Sequence, residues 1–257
     1  MRPMTEVLCI GSVLWDVIGR SASVMRQGSD VPGRITRQPG GVALNIAIAL
    51  ARKGLRPVLL SAVGRDPSGT ELLARCEGLG LDVAHVYRSE DMPTDRYMAV
   101  EGANGLIAAI ADAHSLEAAG AKILAPLSDG RLAEAQAPYP GLVALDGNLT
   151  LELLEEISRS PLLAAADLRI APASPGKAER LLPFLQRQRG TLYVNLEEAR
   201  ILCQSPLATA AEAAAALLAR GAHRAIVTDG GNPAADGHAE GVLTGKPPEV
   251  LVTRVTG

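Results

Sequence analysis

The chain has 257 residues, enough for one large α/β domain or for one domain with a small appendage, and we expect the latter. Lys and Arg number 25 and Asp and Glu number 28, so the formal charge of −3 gives no electrostatic attraction to nucleic acid or to an anionic membrane. The three cysteines lie far apart in apolar runs, which is typical of reduced thiols. No apolar run reaches the roughly 18 residues that cross a bilayer, so we expect a cytoplasmic protein with small-molecule partners.

The first predicted element is a buried strand at residues 6–12, EVLCIGS, a short apolar run that ends at a glycine. Residues 13–38 then contain short β-like pieces around a polar stretch, and this excursion is too long for an ordinary loop between a strand and a helix. Residues 94–112 are typical of a hairpin. Tyr97, Ala99 and Glu101 alternate with Met98 and Val100, as the two faces of a strand do, and the turn that follows is Gly-Ala-Asn-Gly. Together the two segments predict a small separate β-sheet.

The segment PGGVALNIAIALARKG, at residues 39–54, begins with Gly40 and Gly41 and continues as a helix with one apolar face. A glycine pair lets another molecule approach the backbone closely, and the N–H groups at a helix start can receive hydroxyl groups or anions. Asn45 adds one acceptor and two donors one turn further in. These features indicate a polyol or nucleoside site, and they fit equally well a tight strand-to-helix turn with a surface Asn.

A strand at residues 57–64 follows, and then a helix that Asp66 and Pro67 start and Gly78 or Gly80 ends. From residue 121 onward strands and helices alternate, beginning with a predicted strand at residues 121–127 and a short helix near residues 129–136. Repeated units of this length predict a parallel sheet with helices on both faces, and ligands bind such sheets beyond the carboxyl ends of the strands. The residues at these predicted ends are Asp146, Asn148, Asn195, Thr228 and Gly230.

Three other patterns are set aside. GVLTGK at residues 241–246 has the wrong glycine spacing for a P-loop, and a proline follows where Ser or Thr should bind magnesium. No GxGxxG motif follows the first strand, which argues against a Rossmann dehydrogenase. The four histidines are scattered without ligand spacing, so structural or surface roles are predicted for them.

Several separated signatures occur in the order of one family. They are Asp16 after the first strand, Gly40-Gly41 with Asn45, AVGRDPSG at residues 62–69, NLEE at residues 195–198, VTDG at residues 227–230 and VTG at residues 255–257. In this joint order they resemble the ribokinase-like (PfkB) family of carbohydrate and nucleoside kinases, over essentially the whole chain. The segments at residues 93–113, 145–150 and 173–185 are most similar to its pseudouridine kinase branch.

The resemblance implies a ribokinase-like three-layer α/β/α sandwich with a mainly parallel sheet and a small β-sheet lid. It assigns residues 1–12, 39–92 and 113–257 to the α/β kinase core, with the C-terminal part missing, and residues 13–38 and 93–112 to the inserted lid. Exposed edges of the lid strands need covering, so we expect two lids to pair into a homodimer.

For the acceptor, the resemblance implies that Asp16 accepts hydrogen bonds from two ribose hydroxyls, because an ionised carboxylate accepts on both oxygens. A solvated carboxylate is the alternative for Asp16. The glycine pair and Asn45 hold the sugar from the other side. Tyr97 and Trp15, both in the predicted lid, are candidates to pack on a sugar or base face, and a lid-core or dimer contact fits them equally well.

For the phosphate donor, the resemblance implies ATP with Mg²⁺. Asn195 and Glu198 match the NxxE motif that serves the magnesium–phosphate complex, and Glu198 is the predicted metal residue because Mg²⁺ keeps several waters and needs few carboxylates. Thr228, Gly230 and Thr256 complete the predicted cofactor-binding set.

Asp146 and Asn148 could touch phosphate or metal. Thr150, however, stands where relatives often carry a basic residue, so this strand lacks one expected phosphate contact.

The last family motif is incomplete in this sequence. The family has Thr-Gly-Ala-Gly-Asp there, in which backbone N–H groups form an anion hole for the phosphoryl group and the Asp is the general base. Here Thr256 and Gly257 supply the opening, so Gly257 is the predicted start of the anion hole and the base lies beyond the sequence. Because phosphoryl transfer depends on positioning and electrostatic stabilisation, we expect no turnover without these parts.

We therefore expect a fragment of a longer ATP-dependent kinase that phosphorylates a primary hydroxyl of a nucleoside, such as pseudouridine, or of a sugar. One alternative is another sugar kinase of the family, acting on ribose, fructose or a keto-sugar acid. The other is an inactive ligand-binding or dimerising module.

Overall fold

We describe the protein from a computed structural model, which defines residues 6–246. The chain divides into two compact units, Met1–Leu168 and Arg169–Gly257, and each is described by itself. Thr256 and Gly257, which the sequence places in the last family motif, lie outside the described residues.

The first unit contains nine strands and five helices within its described residues. In chain order they are β1 (Glu6–Ile10), β2 (Leu14–Arg20), β3 (Arg34–Gly40), α1 (Val42–Arg52), β4 (Arg56–Leu60), β5 (Ala62–Gly64), α2 (Pro67–Gly78), β6 (Tyr87–Ser89), β7 (Arg96–Gly102), β8 (Gly105–Asp112), α3 (His114–Ala119), α4 (Ala125–Ser128), β9 (Leu142–Asp146) and α5 (Leu151–Arg159). Short 3₁₀ turns lie at Gly120–Leu124 and Pro161–Leu163.

The core sheet of this unit is parallel, with β1 between β4 and β9. Four of the five residues of β1 are buried, because α1 packs against this sheet and the strand has no solvent face. Cys9 and Cys76 belong to the same core, and burial raises the pKa of each thiol to about 12. The buried positions of Cys9 and Cys76 agree with the expectation of thiols in the core.

A separate four-stranded sheet has the order β3-β2-β7-β8, and we call it the lid. β2 pairs antiparallel with β3 and parallel with β7, and β7 pairs antiparallel with β8. The predicted small second sheet is therefore present. The division of the chain into core and lid by residue number stays a prediction.

Two predictions between the lid and β9 are wrong. The strand predicted for residues 121–127 is instead a 3₁₀ turn followed by α4, where Pro126 occupies the first helical turn and needs no hydrogen-bond acceptor. The short helix predicted near residues 129–136 is an irregular segment, held by paired backbone hydrogen bonds between Glu134 and Ala137. The helix predicted after Asp66 is confirmed, since Asp66 caps α2 at Pro67 and the helix ends at Gly78.

The second unit contains β10 (Asp167–Ala171), whose first two residues belong to the first unit, a 3₁₀ turn (Pro175–Leu181), α6 (Leu182–Gln186), β11 (Thr191–Asn195), α7 (Leu196–Cys203), α8 (Ala210–Ala219), β12 (Arg224–Asp229), β13 (Asn232–His238) and β14 (Gly241–Gly245). β10, β11 and β12 are parallel, and β12, β13 and β14 form an antiparallel meander. Within the described residues the closing hairpin predicted at residues 236–252 is β13–β14, which starts at Asn232, and the part of that prediction beyond residue 246 lies outside the described residues. Within residues 6–246, no helix combines the length and apolar character that crossing a membrane requires.

Candidate active site

Asp16 lies on β2, half-buried, with its carboxylate against Gly40. A Cβ atom built on Gly40 would lie 2.1 Å from Asp16 Oδ2, so a side chain at this position would displace the Asp16 carboxylate. The Asp16 carboxylate makes no hydrogen bond with any residue between 6 and 246. Burial raises the pKa of Asp16 above its ordinary value. A half-buried carboxylate without a protein donor is suited to accept hydrogen bonds from hydroxyl groups of a ligand.

The second glycine of the pair, Gly41, is required by the protein's own backbone. Its φ of 103° lies in the left-handed region, which glycine adopts without strain. A Cβ atom there would also lie 2.4 Å from the backbone oxygen of Ser12. The close neighbours of both glycines are therefore protein groups.

The first N–H groups of α1 already have partners. Val42 N donates to Ser12 Oγ at 2.8 Å, and Leu44 N donates to the backbone oxygen of Ser12 at 3.3 Å. Ala43 N donates to Asp146 Oδ2 at 3.2 Å. These three N–H groups donate within the protein, which favours the tight strand-to-helix turn of the two alternatives for this segment, and ligand binding at Gly40, Gly41 and Asn45 stays a prediction.

Asp146, at the end of β9, is fully buried and lies at the centre of this network. Its Oδ2 accepts from Ser12 N at 2.8 Å and from Ser12 Oγ at 2.5 Å, and its Oδ1 accepts from Asn148 N at 2.8 Å. A Cβ atom on Gly11 would lie 2.3 Å from the Asp146 Cβ, so glycine is also needed beside Ser12. Asp146 thus joins the ends of β1 and β9 to the start of α1, and its buried carboxylate is hydrogen-bonded by protein donors, while a contact with phosphate or metal stays a prediction.

Asn45 lies one turn into α1, and its exposed amide makes no hydrogen bond within the described part of the chain. Tyr97 lies on β7, half-buried, as the register partner of Asp16. The structure thus places Tyr97 beside Asp16 on one face of the lid and leaves the Asn45 amide open to solvent.

Trp15 has a different environment from its neighbour Asp16. The indole is 1% exposed, and its Nε1 donates to the backbone oxygen of Ser68 on α2 at 3.0 Å. The Arg37 guanidinium stacks on the ring, 4.0 Å from its centroid, and pairs with Glu71. Of the roles left open for Trp15, these contacts favour a core position over a sugar-facing or a dimer surface, since the indole packs in the same cluster as Cys9 and Cys76.

In the second unit, a cleft of about 400 Å³ opens where β11 and β12 end. It brings together three of the predicted cofactor residues, Asn195, Thr228 and Gly230. Asn195 and Thr228 are register partners on adjacent strands, which explains their proximity. Glu197, predicted to face solvent, is exposed and also lines this cleft.

Glu198, the predicted metal residue, takes part in a capping box with Asn195 at the start of α7. Glu198 N donates to Asn195 Oδ1 at 2.8 Å, and Asn195 N donates to Glu198 Oε2 at 2.8 Å. Burial raises the pKa of Glu198 above its ordinary value, and the charge of Glu197 adds to the rise. Its Oε1 makes no hydrogen bond within residues 6–246, so one carboxylate oxygen is left for a ligand.

The sequence reasoning missed the role of Ser12. The available signal was a Gly-Ser pair at the end of the first strand, but its partner Asp146 lies 134 residues further along the chain. Only the parallel pairing of β1 with β9 brings the two together.

Parallel α/β sheets with a separate β-sheet lid define the fold as ribokinase-like, as predicted. The carbohydrate kinase from Agrobacterium tumefaciens matches 91% of this chain and 73% of its own, with a TM-score of 0.74 and 23% identity. The fructokinase from Xylella fastidiosa with bound ATP matches 94% of this chain and 77% of its own, with a TM-score of 0.71 and 18% identity. At these identities the likeness establishes the fold.

The family profile described as pfkB family carbohydrate kinase matches residues 4–257. The chain therefore belongs to the PfkB family of carbohydrate kinases, as its motifs predict. It is 27% identical over 177 residues to a pseudouridine kinase of Arabidopsis thaliana, across 68% of this chain and 45% of the relative. It is 36% identical over 126 residues to a pseudouridine kinase of Escherichia coli strain K12, across 49% of this chain and 40% of the relative. The chain thus matches less than half the length of either relative.

Proposed function

We propose that the whole protein is an ATP-dependent kinase that phosphorylates a primary hydroxyl of a nucleoside of the pseudouridine type. The observation that carries this proposal is the Asp16 carboxylate, which is half-buried against Gly40 and has no hydrogen-bond donor within residues 6–246. Family membership supports phosphoryl transfer, and the similarity to two pseudouridine kinases supports a nucleoside acceptor.

Asp16 fixes the acceptor in this proposal. An ionised carboxylate only accepts hydrogen bonds, so its two oxygens select neighbouring hydroxyl groups such as those of a ribose. The Asn45 amide supplies further donors and an acceptor from α1. Holding the sugar at several points fixes the direction of its primary hydroxyl, which lowers the entropic part of the barrier.

The cleft in the second unit is the proposed nucleotide site, with Asn195, Thr228 and Gly230 as its binding residues. Within residues 6–246 no three His, Cys, Asp or Glu side chains group closely enough to hold a metal ion. Glu198 has one open carboxylate oxygen, which fits Mg²⁺ held mainly by water and by phosphate oxygens. When bound, Mg²⁺ neutralises charge on the transferring phosphoryl group.

We also propose that the protein is cytoplasmic. We further propose that it forms a homodimer through the lid. Ile35, Met98 and Ile110 are 78%, 47% and 61% exposed on the lid. Met98 and Ile110 are register partners, so they form one apolar surface that a second lid would cover. A purely monomeric protein in analytical ultracentrifugation would remove this part of the proposal.

Isothermal titration calorimetry with pseudouridine, uridine, D-ribose and D-fructose tests the acceptor. We expect Asp16→Asn to weaken binding of the preferred ligand by at least tenfold, because hydrogen bonds to a charged group contribute about 1.5–3 kcal/mol. Asp91→Asn, which changes an exposed carboxylate with no hydrogen bond in the described chain, is the matched control.

If Asp16→Asn binds as tightly as the unchanged protein, the proposed acceptor site is wrong. If D-ribose or D-fructose binds and neither nucleoside does, the protein is a sugar kinase of the family.

A further inference from the structure

Three polar side chains lie side by side on one face of the lid. The strand register pairs Asp16 on β2 with Gln38 on β3 and with Tyr97 on β7. Register partners in adjacent strands point to the same face of a sheet. None of the three side chains makes a hydrogen bond within residues 6–246. The row therefore offers open donors and acceptors to a ligand.

The row lies directly beside the glycine pair. Gly40 is the register partner of Leu14, one step before the row on the same face, and its missing side chain leaves space for the Asp16 carboxylate. The next row contains Thr36, Ile18 and Ala99, and the Thr36 hydroxyl already donates to the backbone oxygen of Ile18 at 3.3 Å. Of these two rows, the polar side chains without a hydrogen bond inside residues 6–246 are thus those of the first row.

The side chain next to Gln38 in sequence cannot substitute for it. Arg37 points to the other face of β3, where it stacks on Trp15 and pairs with Glu71. Gln38 is exposed, and its side chain makes no hydrogen bond or ion pair with any residue between 6 and 246.

The chemistry of the row distinguishes two parts of a ligand. Asp16, when ionised, only accepts, so it suits the hydroxyls of a sugar. Gln38 both donates and accepts, so it complements an N–H group beside a C=O group, which a uracil base has and a plain sugar lacks. We propose that Gln38 binds such an amide edge of the acceptor's base and thereby selects a nucleoside over the free sugar. This inference rests on the proposed acceptor site at Asp16.

Isothermal titration calorimetry separates base recognition from sugar recognition. The ligands are pseudouridine, its N1-methyl and N3-methyl derivatives, and D-ribose. The proteins are the unchanged chain, Gln38→Ala and the matched control Gln136→Ala, which changes an exposed glutamine between α4 and β9.

We expect Gln38→Ala to weaken pseudouridine binding by about 5- to 20-fold, the value of one or two neutral hydrogen bonds, and to change D-ribose binding by less than twofold. At least one methyl derivative should bind the unchanged chain about fivefold more weakly than pseudouridine. That penalty should disappear in Gln38→Ala, because the blocked N–H then has no partner to lose. Gln136→Ala should match the unchanged chain.

Equal weakening of pseudouridine and D-ribose by Gln38→Ala would overturn the proposal, because it would place Gln38 in sugar binding or in the stability of the lid. Pseudouridine binding that is unchanged in Gln38→Ala would also overturn the proposal, because Gln38 would then be a surface glutamine that contacts no ligand. Failure here, with Asp16→Asn still weakening binding, leaves the proposed function in place. Failure of the unchanged chain to bind any of these ligands removes both.

Discussion

Two helix starts in this protein are built in different ways. The N-cap of α1 is Gly41, which has no capping side chain, and the first N–H groups of α1 are satisfied by Ser12 and Asp146, 30 to 103 residues away. The N-cap of α7 is Asn195, and Glu198, three residues later, completes this cap. The first start depends on strands that pair elsewhere in the chain, whereas the second depends only on its own sequence.

The difference matters for the candidate sites. At α7 the two motif residues use polar atoms to begin the helix, so the motif has a structural role besides the one implied by the family. At α1 the buried groups of Ser12 and Asp146 satisfy the helix, and the Asp16 and Asn45 side chains are left open. Neither of these two side chains therefore has a part in capping α1.

The largest effect is expected for Asp146→Ala. The change leaves the buried N–H groups of Ser12 and Ala43 without acceptors, so we expect the free energy of unfolding to fall by about 3 kcal/mol or more. Urea unfolding followed by circular dichroism measures this loss. Asp91→Ala, at an exposed site, should change stability by less than about 0.5 kcal/mol. Similar stabilities for the two variants would show that the remote cap of α1 contributes little.

A second remote cap predicts a pH dependence. Asp95 is buried, and its carboxylate accepts from Ser115 N at 2.8 Å and Leu116 N at 3.0 Å at the start of α3. Burial raises the pKa of Asp95 to about 6, which the two hydrogen bonds and His114 partly oppose and Asp112 reinforces. The folded protein therefore binds this proton more tightly than the unfolded chain does.

The sign of the effect follows from that difference. Between about pH 4 and pH 6 the folded state holds more protons at Asp95 than the unfolded state, so its contribution to stability falls as the pH rises. We expect a loss on the order of 2 kcal/mol across this window relative to Asp95→Asn, which cannot titrate. Urea unfolding of both proteins at pH 4.5, 5.5, 6.5 and 7.5 measures it. Parallel stability curves for the two proteins would contradict the raised pKa.

The smallest effect is expected at a local cap. Thr209 is the N-cap of α8, and its hydroxyl accepts from Glu212 N at 3.2 Å. Thr209→Ala removes this acceptor and should cost about 1 kcal/mol of unfolding free energy, while Thr209→Ser, which keeps the hydroxyl, should cost much less. Thermal unfolding of the two variants checks the difference. Equal costs would mean that the methyl group, and not the hydroxyl, stabilises this start.

The difference between local and remote contacts also explains which elements the sequence could predict. The start of α2 was predicted from Asp66 and its end from Gly78 or Gly80, because these signals are local. The lid was predicted from the two-residue alternation of its strands and from a Gly-rich turn, which are also local signals. The glycine pair was recognised, but its close neighbours Asp16 and Ser12 depend on tertiary packing.

Where tertiary contacts decide, the prediction was incomplete or wrong. The apolar run at residues 121–127 is typical of a strand by composition, yet it pairs with no strand of the described residues, and Pro126 favours a helix start. Asp146 could be assigned to the end of β9, but its burial under Gly11 and Ser12 could not be foreseen from any nearby residue.

Trp15 is the single tryptophan of the protein, and it lies near the start of β2, next to the proposed acceptor carboxylate of Asp16. Its indole is shielded from solvent and touched by a cation, so its emission depends on how β2 and β3 contact α2. The protein therefore carries a built-in optical reporter at this junction. Titrating a nucleoside or a sugar while recording intrinsic fluorescence gives a label-free measure of whether this junction rearranges when the ligand binds.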